Sequence, residues 1–335
     1  MSSDSKNETI ETRNNNFDLH LLVTAPTYFI ESVRAQIEKS YKVTYAYEAS
    51  YEELLDLVET IDAWIVDPGA NYKIDVKILT RAKNLKIIVS PSTGSDHVDL
   101  NYLNLHSIKF DCLKGKEDII ENIHASAEFS FALLMSMIRN LVPAANYATS
   151  GFWREKEDEL RGIELSGKKV GIIGFGRIGK KMTNFCLAFG AKMIIYDPFV
   201  SIEKEGLNQV DTLDELLKAS DIVSVHVHLD STTKNLIGEK EFEMMRDQAY
   251  FLNTSRGGTV DEDALIKALR DRKLAAAAVD VISGEQEENI SEHKLINFSK
   301  DNKNFLITPH IAGATIDSQR KAFEFALDEV DKFFN

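Results

Sequence analysis

The chain has 335 residues, 44% of them hydrophobic and 27% charged, and its 39 Lys and Arg against 53 Asp and Glu leave a formal net charge of −14. That composition is globular and the length suits two domains, while an acidic balance with no basic run of five or more argues against a nucleic-acid surface or an anionic membrane partner. Two isolated cysteines, Cys112 and Cys186, are too few for a disulfide framework or a thiolate metal site, which points to a reducing compartment, the cytoplasm.

Residues 1–16 are polar, without the apolar core of a signal peptide, and are expected to form a disordered tail; no stretch of about 18 uninterrupted apolar residues offers a membrane span. From there apolar bursts and amphipathic stretches alternate. Residues 19–24 (LHLLVT) read as a buried strand, 29–40 as a helix, 42–47 as a strand and 51–59 as a helix. Short strands at 63–66 (AWIV) and 85–89 (LKIIV) flank a helix over 74–82, and 108–112 is a fifth strand. Residues 122–147 read as one long apolar helical connector, interrupted only by Pro143. After a polar loop over 149–167 a second alternation begins, with strands at 169–173, 192–196, 222–227, 248–253 and 275–281 and helices from Arg177 and over 212–219 and 261–271. The final amphipathic helix, 315–334, is free to return to the first domain. This repetition predicts an α/β fold with parallel sheets covered by helices on both faces, once in each half.

The sharpest local signal is in residues 170–179, VGIIGFGRIG, where Gly174, Gly176 and Gly179 form G-x-G-x-x-G at a strand-to-helix turn. Glycine is needed there for three reasons: the chain must turn tightly, its backbone must approach a pyrophosphate, and the helix must pack closely on the strand. Arg177 and Ile178 open the helix, whose N-terminus presents free N–H groups and a positive dipole end to an anion. A second strand ends in Asp197, about twenty residues on, where a carboxylate accepts hydrogen bonds from ribose hydroxyls. That carboxylate repels a 2′-phosphate and no arginine follows it, so NAD is favoured over NADP.

Further along, FLNTSRGG (251–258), Val279-Asp280-Val281 leading to Glu285, and TPHIAG (308–313) follow the glycine motif in order. With the weaker STGSDHVD (92–99) and Ser126-Ala127-Glu128, the chain from Leu19 onward resembles the D-isomer-specific 2-hydroxyacid dehydrogenase family, including its phosphoglycerate dehydrogenase-like and hydroxypyruvate reductase-like members. The resemblance implies two Rossmann-like doubly wound parallel-sheet domains. One is a split, flavodoxin-like substrate domain (17–120 plus 310–335), and the other an inserted NAD-binding domain (121–309). It also implies an NAD-dependent oxidoreductase that interconverts a 2-keto acid and a D-2-hydroxy acid. The protein would be a homodimer whose interface uses the apolar connector, especially 129–137.

By the same resemblance Arg256 binds and polarises the substrate, Glu285 supports the imidazolium, and His310 is the acid/base. The chemistry agrees with each role. A planar, permanently charged guanidinium can hold a carboxylate while polarising the adjacent carbonyl. A developing alkoxide needs a proton from a group titrating near neutrality, and a carboxylate beside an imidazole favours its protonated form. Thr93 and Gly94 fall on the family's substrate-carboxylate loop, where backbone N–H groups do the binding. Asp280 falls on the position that contacts the nicotinamide carboxamide, and Val227 and Thr254 complete the cofactor set. Without these neighbours, Arg256 reads equally as a solvated turn residue, Glu285 as part of an acidic run, His310 as a structural histidine, Thr93 and Gly94 as a tight turn, and Asp280 as a strand-end cap.

Departures narrow the substrate. Formate-type members carry glutamine where Glu285 stands, and here Gln286 replaces the usual proline, which favours keto-acid chemistry. Phosphoglycerate-type members place arginines after the third strand, where this chain has Asp67-Pro68-Gly69, and Asp67 would repel a phosphate. Residues 289–304 lengthen the segment before His310, reshaping the site mouth or extending a surface loop. His226 and His228 alternate along a strand without acidic or cysteine partners at ligand spacing, so they are assigned to a strand end near the cofactor rather than to a metal. Two other readings stay open: an NADH-responsive scaffold like the C-terminal-binding-protein corepressors, which share this fold, and a sugar-acid dehydrogenase of surface polysaccharide synthesis.

Overall fold

The computed structural model describes residues 10–13, 17–70, 72–95, 97–202, 206–285 and 289–335. The rest of the expected tail, Asp96 and Gln286 lie outside these described residues. The chain divides into two compact units, Met1–Ile123 with Thr315–Asn335, and His124–Ala314.

The first unit is built on five parallel strands, with one antiparallel strand before them. In chain order they are β1 (Glu11–Arg13), β2 (His20–Val23), β3 (Lys42–Tyr45), β4 (Ala63–Ile65), β5 (Ile87–Ser90) and β6 (Lys109–Cys112), and they lie in the sheet order β1-β3-β2-β4-β5-β6. The five parallel strands follow the flavodoxin-like doubly wound order. β2, β4 and β5 are buried along their whole length, which is why they read as apolar runs rather than alternating patterns. On one face Leu21, Val23, Ile65, Ile87 and Val89 pack against Phe323, Ala326, Leu327 and Val330 of the C-terminal helix Ile316–Phe334. Those helix positions recur at helical spacing, so the final helix buries one stripe in this unit, each large side chain contributing about 2 kcal/mol. On the other face Leu22, Trp64 and Ile88 pack with Leu54 and Ile78.

β1 corrects the expected disordered tail: Glu11, Thr12 and Arg13 pair with Tyr45, Thr44 and Val43. β3 is otherwise a sheet edge with an unpaired row of backbone groups. Arg13 Nη1 donates to Glu38 at 2.8 Å and Arg34 Nη2 to Glu11 at 3.1 Å. The polar composition of 11–13, which suggested disorder, supplies those charges.

The second unit is a seven-stranded parallel sheet. Its strands are β7 (Lys169–Ile173), β8 (Lys192–Tyr196), β9 (Leu207–Gln209), β10 (Ile222–Val225), β11 (Ala249–Asn253), β12 (Leu274–Val279) and β13 (Phe305–Ile307), in the order β13-β12-β11-β10-β7-β8-β9. The order reverses between β7 and β10, and in open sheets of this kind ligands bind outside the carboxyl ends of the strands at that point.

Two elements differ from expectation. The connector is two helices, Ala125–Ile138 and Leu141–Thr149, broken at Asn140 with φ of 49°. Pro143 is the third residue of the second helix, where its missing N–H has no partner to lose. The first of these helices buries Leu133, Leu134, Met137 and Ile138 in the core of the second unit. Residues 289–304 are no simple loop either, because they hold the helix Lys294–Asp301, which buries Leu295 and Phe298. β9, β13 and the helix Glu239–Met244 are too short to show in the sequence pattern. Among the described residues no helix is long and apolar enough to cross a membrane.

Candidate active site

The three glycines at the end of β7 do three separate jobs. Gly174 has φ of 92°, and a Cβ there would lie 2.6 Å from the His226 carbonyl oxygen, so only glycine makes this turn. A Cβ on Gly179 would lie 2.1 Å from the Gly174 carbonyl oxygen, which fixes how closely the helix Arg177–Ala188 packs on the strand. A Cβ on Gly176 would meet nothing within 4 Å. That open approach, at a helix N-terminus with no side-chain cap, fits the pyrophosphate of a dinucleotide. The first turn contains Arg177, Ile178 and Gly179.

Asp197, just past β8, is drawn to the same turn. Its Oδ2 accepts the Phe175 N–H at 2.7 Å and its Oδ1 the Phe199 N–H at 2.9 Å. Val227, past β10, is close by, since a Cβ on Gly174 would come within 2.9 Å of its Cγ1. Burial pushes the neighbouring His226 down to about 4, so the ring is neutral, and its Nε2 shares a 2.8 Å hydrogen bond with Ser224 Oγ. Thr254, past β11, is buried, and its Oγ1 shares a hydrogen bond of 2.6 Å with Ser130 Oγ.

The three expected catalytic side chains come from loops after adjacent strands β11, β12 and β13. The Arg256 carbonyl accepts from Asn253 Nδ2 at 3.0 Å and Thr259 Oγ1 at 2.7 Å, and its Nη1 donates to the Ser255 carbonyl at 2.8 Å. Glu285 Oε1 accepts the Ile282 N–H at 2.9 Å, and its Oε2 accepts from His310 Nδ1 at 2.5 Å. The hydrogen bond to Glu285 raises the His310 pKa above the usual imidazole value; burial opposes it, the Glu285 and Asp280 charges add to it, and Arg256 lowers it. With Nδ1–H committed to the carboxylate, Nε2 is the ring nitrogen left to exchange a proton.

Asp280 is buried beneath the His310 loop. Its Oδ1 accepts from Thr308 Oγ1 at 2.5 Å and from the Ile311 N–H at 3.1 Å. Sequence reasoning anticipates this residue at a cofactor or as a strand-end cap, and its observed bonds hold the loop of the histidine. In the first unit Thr93 and Gly94 lie in the turn after β5, where Ser92 Oγ donates to the Gly94 carbonyl at 3.2 Å. Supporting residues that sequence reasoning misses include Ser130 and Asn253, for which no spacing rule gives a signal.

Residues 131–312 match the family model described as D-isomer specific 2-hydroxyacid dehydrogenase, NAD binding domain. The chain is similar to D-3-phosphoglycerate dehydrogenase of Archaeoglobus fulgidus, with 37% identity over 273 residues, covering 81% of this chain and 49% of that protein. It is also similar to glyoxylate reductase of Thermococcus litoralis, with 35% identity over 288 residues, covering 84% of this chain and 82% of that one. Among solved structures, D-lactate dehydrogenase from Aquifex aeolicus complexed with NAD and lactic acid matches with a TM-score of 0.77 and 26% identity, over 94% of this chain and 95% of that one. The chain spans about half the length of the phosphoglycerate dehydrogenases it matches, 49% and 57%.

Proposed function

Because the chain belongs to the D-isomer-specific 2-hydroxyacid dehydrogenase family, we propose that it interconverts a small, non-phosphorylated 2-keto acid and the corresponding D-2-hydroxy acid, with NAD as cofactor. The observation that carries this reading is the hydrogen bond of 2.5 Å from His310 Nδ1 to Glu285 Oε2. It orients a proton donor and favours its charged form.

When bound, NADH would supply the hydride that turns the substrate carbonyl into an alkoxide. His310 Nε2 gives the proton that this oxygen needs, and in the oxidative direction takes it back. Glu285 stabilises the imidazolium and fixes the ring. Arg256 pairs with the substrate carboxylate and polarises the carbonyl, and its rigid fork suits both tasks. Asp197 would bind the adenosine ribose and disfavour a 2′-phosphate. The N–H groups of 177–179 at the open face of Gly176 would take the pyrophosphate, and Val227, Thr254 and Asp280 would border the rest of the cofactor. For the first unit, we propose that the Thr93 and Gly94 turn offers backbone N–H groups to a carboxylate. The two buried, free thiols, Cys112 and Cys186, suit a reducing cytoplasm.

A set of 2-keto acids, including glyoxylate, hydroxypyruvate and pyruvate, is incubated with purified protein and NADH while the nicotinamide absorbance is followed. Oxidation of NADH with at least one of them is expected. Tight NADH binding with no turnover on any would replace the enzyme reading with that of a scaffold.

A further inference from the structure

We infer that Glu262 is a positioning residue: together with His293 it clamps the backbone at Ile282 and Ser283 that presents Glu285 to His310. This rests on the proton-transfer role proposed above for the His310 and Glu285 pair.

Glu262 is the first residue of the helix Glu262–Arg270 and is only 5% exposed, so its carboxylate must be partnered where it lies. Its own helix is capped by Asp261, which accepts from Asp263 N and Ala264 N, leaving Glu262 available for a neighbouring segment. Glu262 Oε1 accepts the Ser283 N–H at 2.7 Å. Its Oε2 lies 3.3 Å from His293 Nε2 and 3.7 Å from Lys294 Nζ, and Lys294 also pairs with Asp263 at 2.9 Å. His293 Nδ1 accepts the Leu295 N–H at 3.3 Å, so its ring hydrogen is on Nε2 and points to Glu262. The helix beginning at Lys294, in the long segment before His310, thus anchors a carboxylate whose other oxygen grips the loop after β12.

The gripped peptide is also closely packed against Gly257. A Cβ on Gly257, the residue after Arg256, would lie 1.9 Å from the Ile282 carbonyl carbon and 2.3 Å from the Ser283 nitrogen. Adjacent N–H groups then divide the work. Ser283 N–H goes to Glu262, while Ile282 N–H goes to Glu285 Oε1 and leaves Oε2 to His310. A displacement of about 1 Å in such a segment is enough to impair catalysis by about two orders of magnitude. The largest charge effects on the His310 ring come from Glu285, Arg256 and Asp280. Glu262 works through the position of Glu285.

The test follows the His310 ring protons by NMR titration, alongside the pH profile of reductive kcat/KM with glyoxylate or whichever keto acid is turned over. Full-length wild type, Glu262→Ala, Glu262→Gln and His293→Ala are compared. In Glu262→Ala the His310 pKa is expected to fall, the high-pH limb of activity to move to lower pH, and kcat to drop about tenfold or more, while the NADH Kd stays within twofold. Glu262→Gln should recover most of this, because its amide oxygen still accepts from Ser283. Adding Glu285→Gln to Glu262→Ala should cost little more than Glu285→Gln alone. An unchanged His310 pKa in folded Glu262→Ala, or fully additive losses in the double variant, overturns the proposal. Should Glu262→Ala not fold, His293→Ala carries the test, and an unchanged His310 titration in it overturns the clamp. The NMR readout needs no turnover, so a failure of the dehydrogenase reading and a failure of the clamp are separable.

Discussion

Asp280 Oδ2 accepts the Ala312 N–H at 2.8 Å, two residues beyond His310. The His310 N–H in turn donates to the Asp280 carbonyl at 2.8 Å, and His310 itself has φ of 52°. A left-handed backbone costs an L-residue roughly 1–2 kcal/mol, and the Asp280 bonds to Thr308, Ile311 and Ala312 offset it. The histidine therefore points where it does because a buried carboxylate holds the loop on both sides of it.

The proton chemistry sets a pH dependence. The His310 pKa is raised, and on the proposal that its imidazolium is the proton donor in reduction, reductive kcat/KM should be full at lower pH and fall as pH rises through that pKa. Glu285→Gln removes the main upward influence, and the falling limb should move to lower pH. His310→Asn should lower kcat by about 10² or more, with NADH affinity little changed. Steady-state profiles across the neutral and alkaline range decide it, and a limb that stays in place in Glu285→Gln would mean that Glu285 does not support the ring.

Cofactor choice follows from Asp197, whose carboxylate is held at the glycine turn by Phe175 and Phe199 N–H groups. NADH should bind at least about tenfold tighter than NADPH, and Asp197→Ala should narrow the gap. Titration calorimetry measures both, and equal affinities in the unmodified protein would refute the assignment.

Substrate charge is the next expectation. Asp67 follows β4 in the first unit; burial pushes its carboxyl upward in pKa and so opposes its charge, while the Gly69 N–H, donated to its Oδ1 at 2.9 Å, favours the carboxylate. In direct competition hydroxypyruvate should be preferred over 3-phosphohydroxypyruvate by about tenfold or more, because like charges repel strongly at a partly buried site. Asp67→Asn should weaken the preference. A strong preference for the phosphorylated compound would show that other basic groups form the pocket.

Homodimer formation is expected, but its contact surface shifts from the reading of the sequence. Much of the 129–137 stretch is buried within the second unit, with Phe131 against Phe185 and Phe189. Leu141, Val142, Phe152, Trp153 and Phe189 are exposed apolar side chains of this unit, Trp153 at 75%. Light scattering at micromolar concentration should give twice the chain mass, and Trp153→Asp should shift it toward monomer. A monomer mass for the unmodified chain rejects the dimer.

Features that depend on one short stretch of chain are legible in the amino-acid sequence itself. The turn at Gly174, the openness at Gly176 and the packing at Gly179 each follow from the absence of a single Cβ at a strand-to-helix junction. Fully buried parallel strands such as Ile87–Ser90 announce themselves as apolar runs, and Arg256, Glu285 and His310 stand in motifs whose order along the chain suggests a shared site. The tertiary structure decides which distant groups meet. Nothing local says that Arg13 will find Glu38, that Thr254 will find Ser130, or that Ser283 will be gripped by Glu262. Periodicity states which face of an element is apolar but not what covers it. It therefore leaves open where the C-terminal helix docks, and it misses that the connector breaks at Asn140 rather than Pro143. A hydrogen bond between residues tens of positions apart is selected by the packing of whole elements. For this reason the candidate reacting groups can be named from the sequence, whereas the bonds that aim them emerge only in the folded chain.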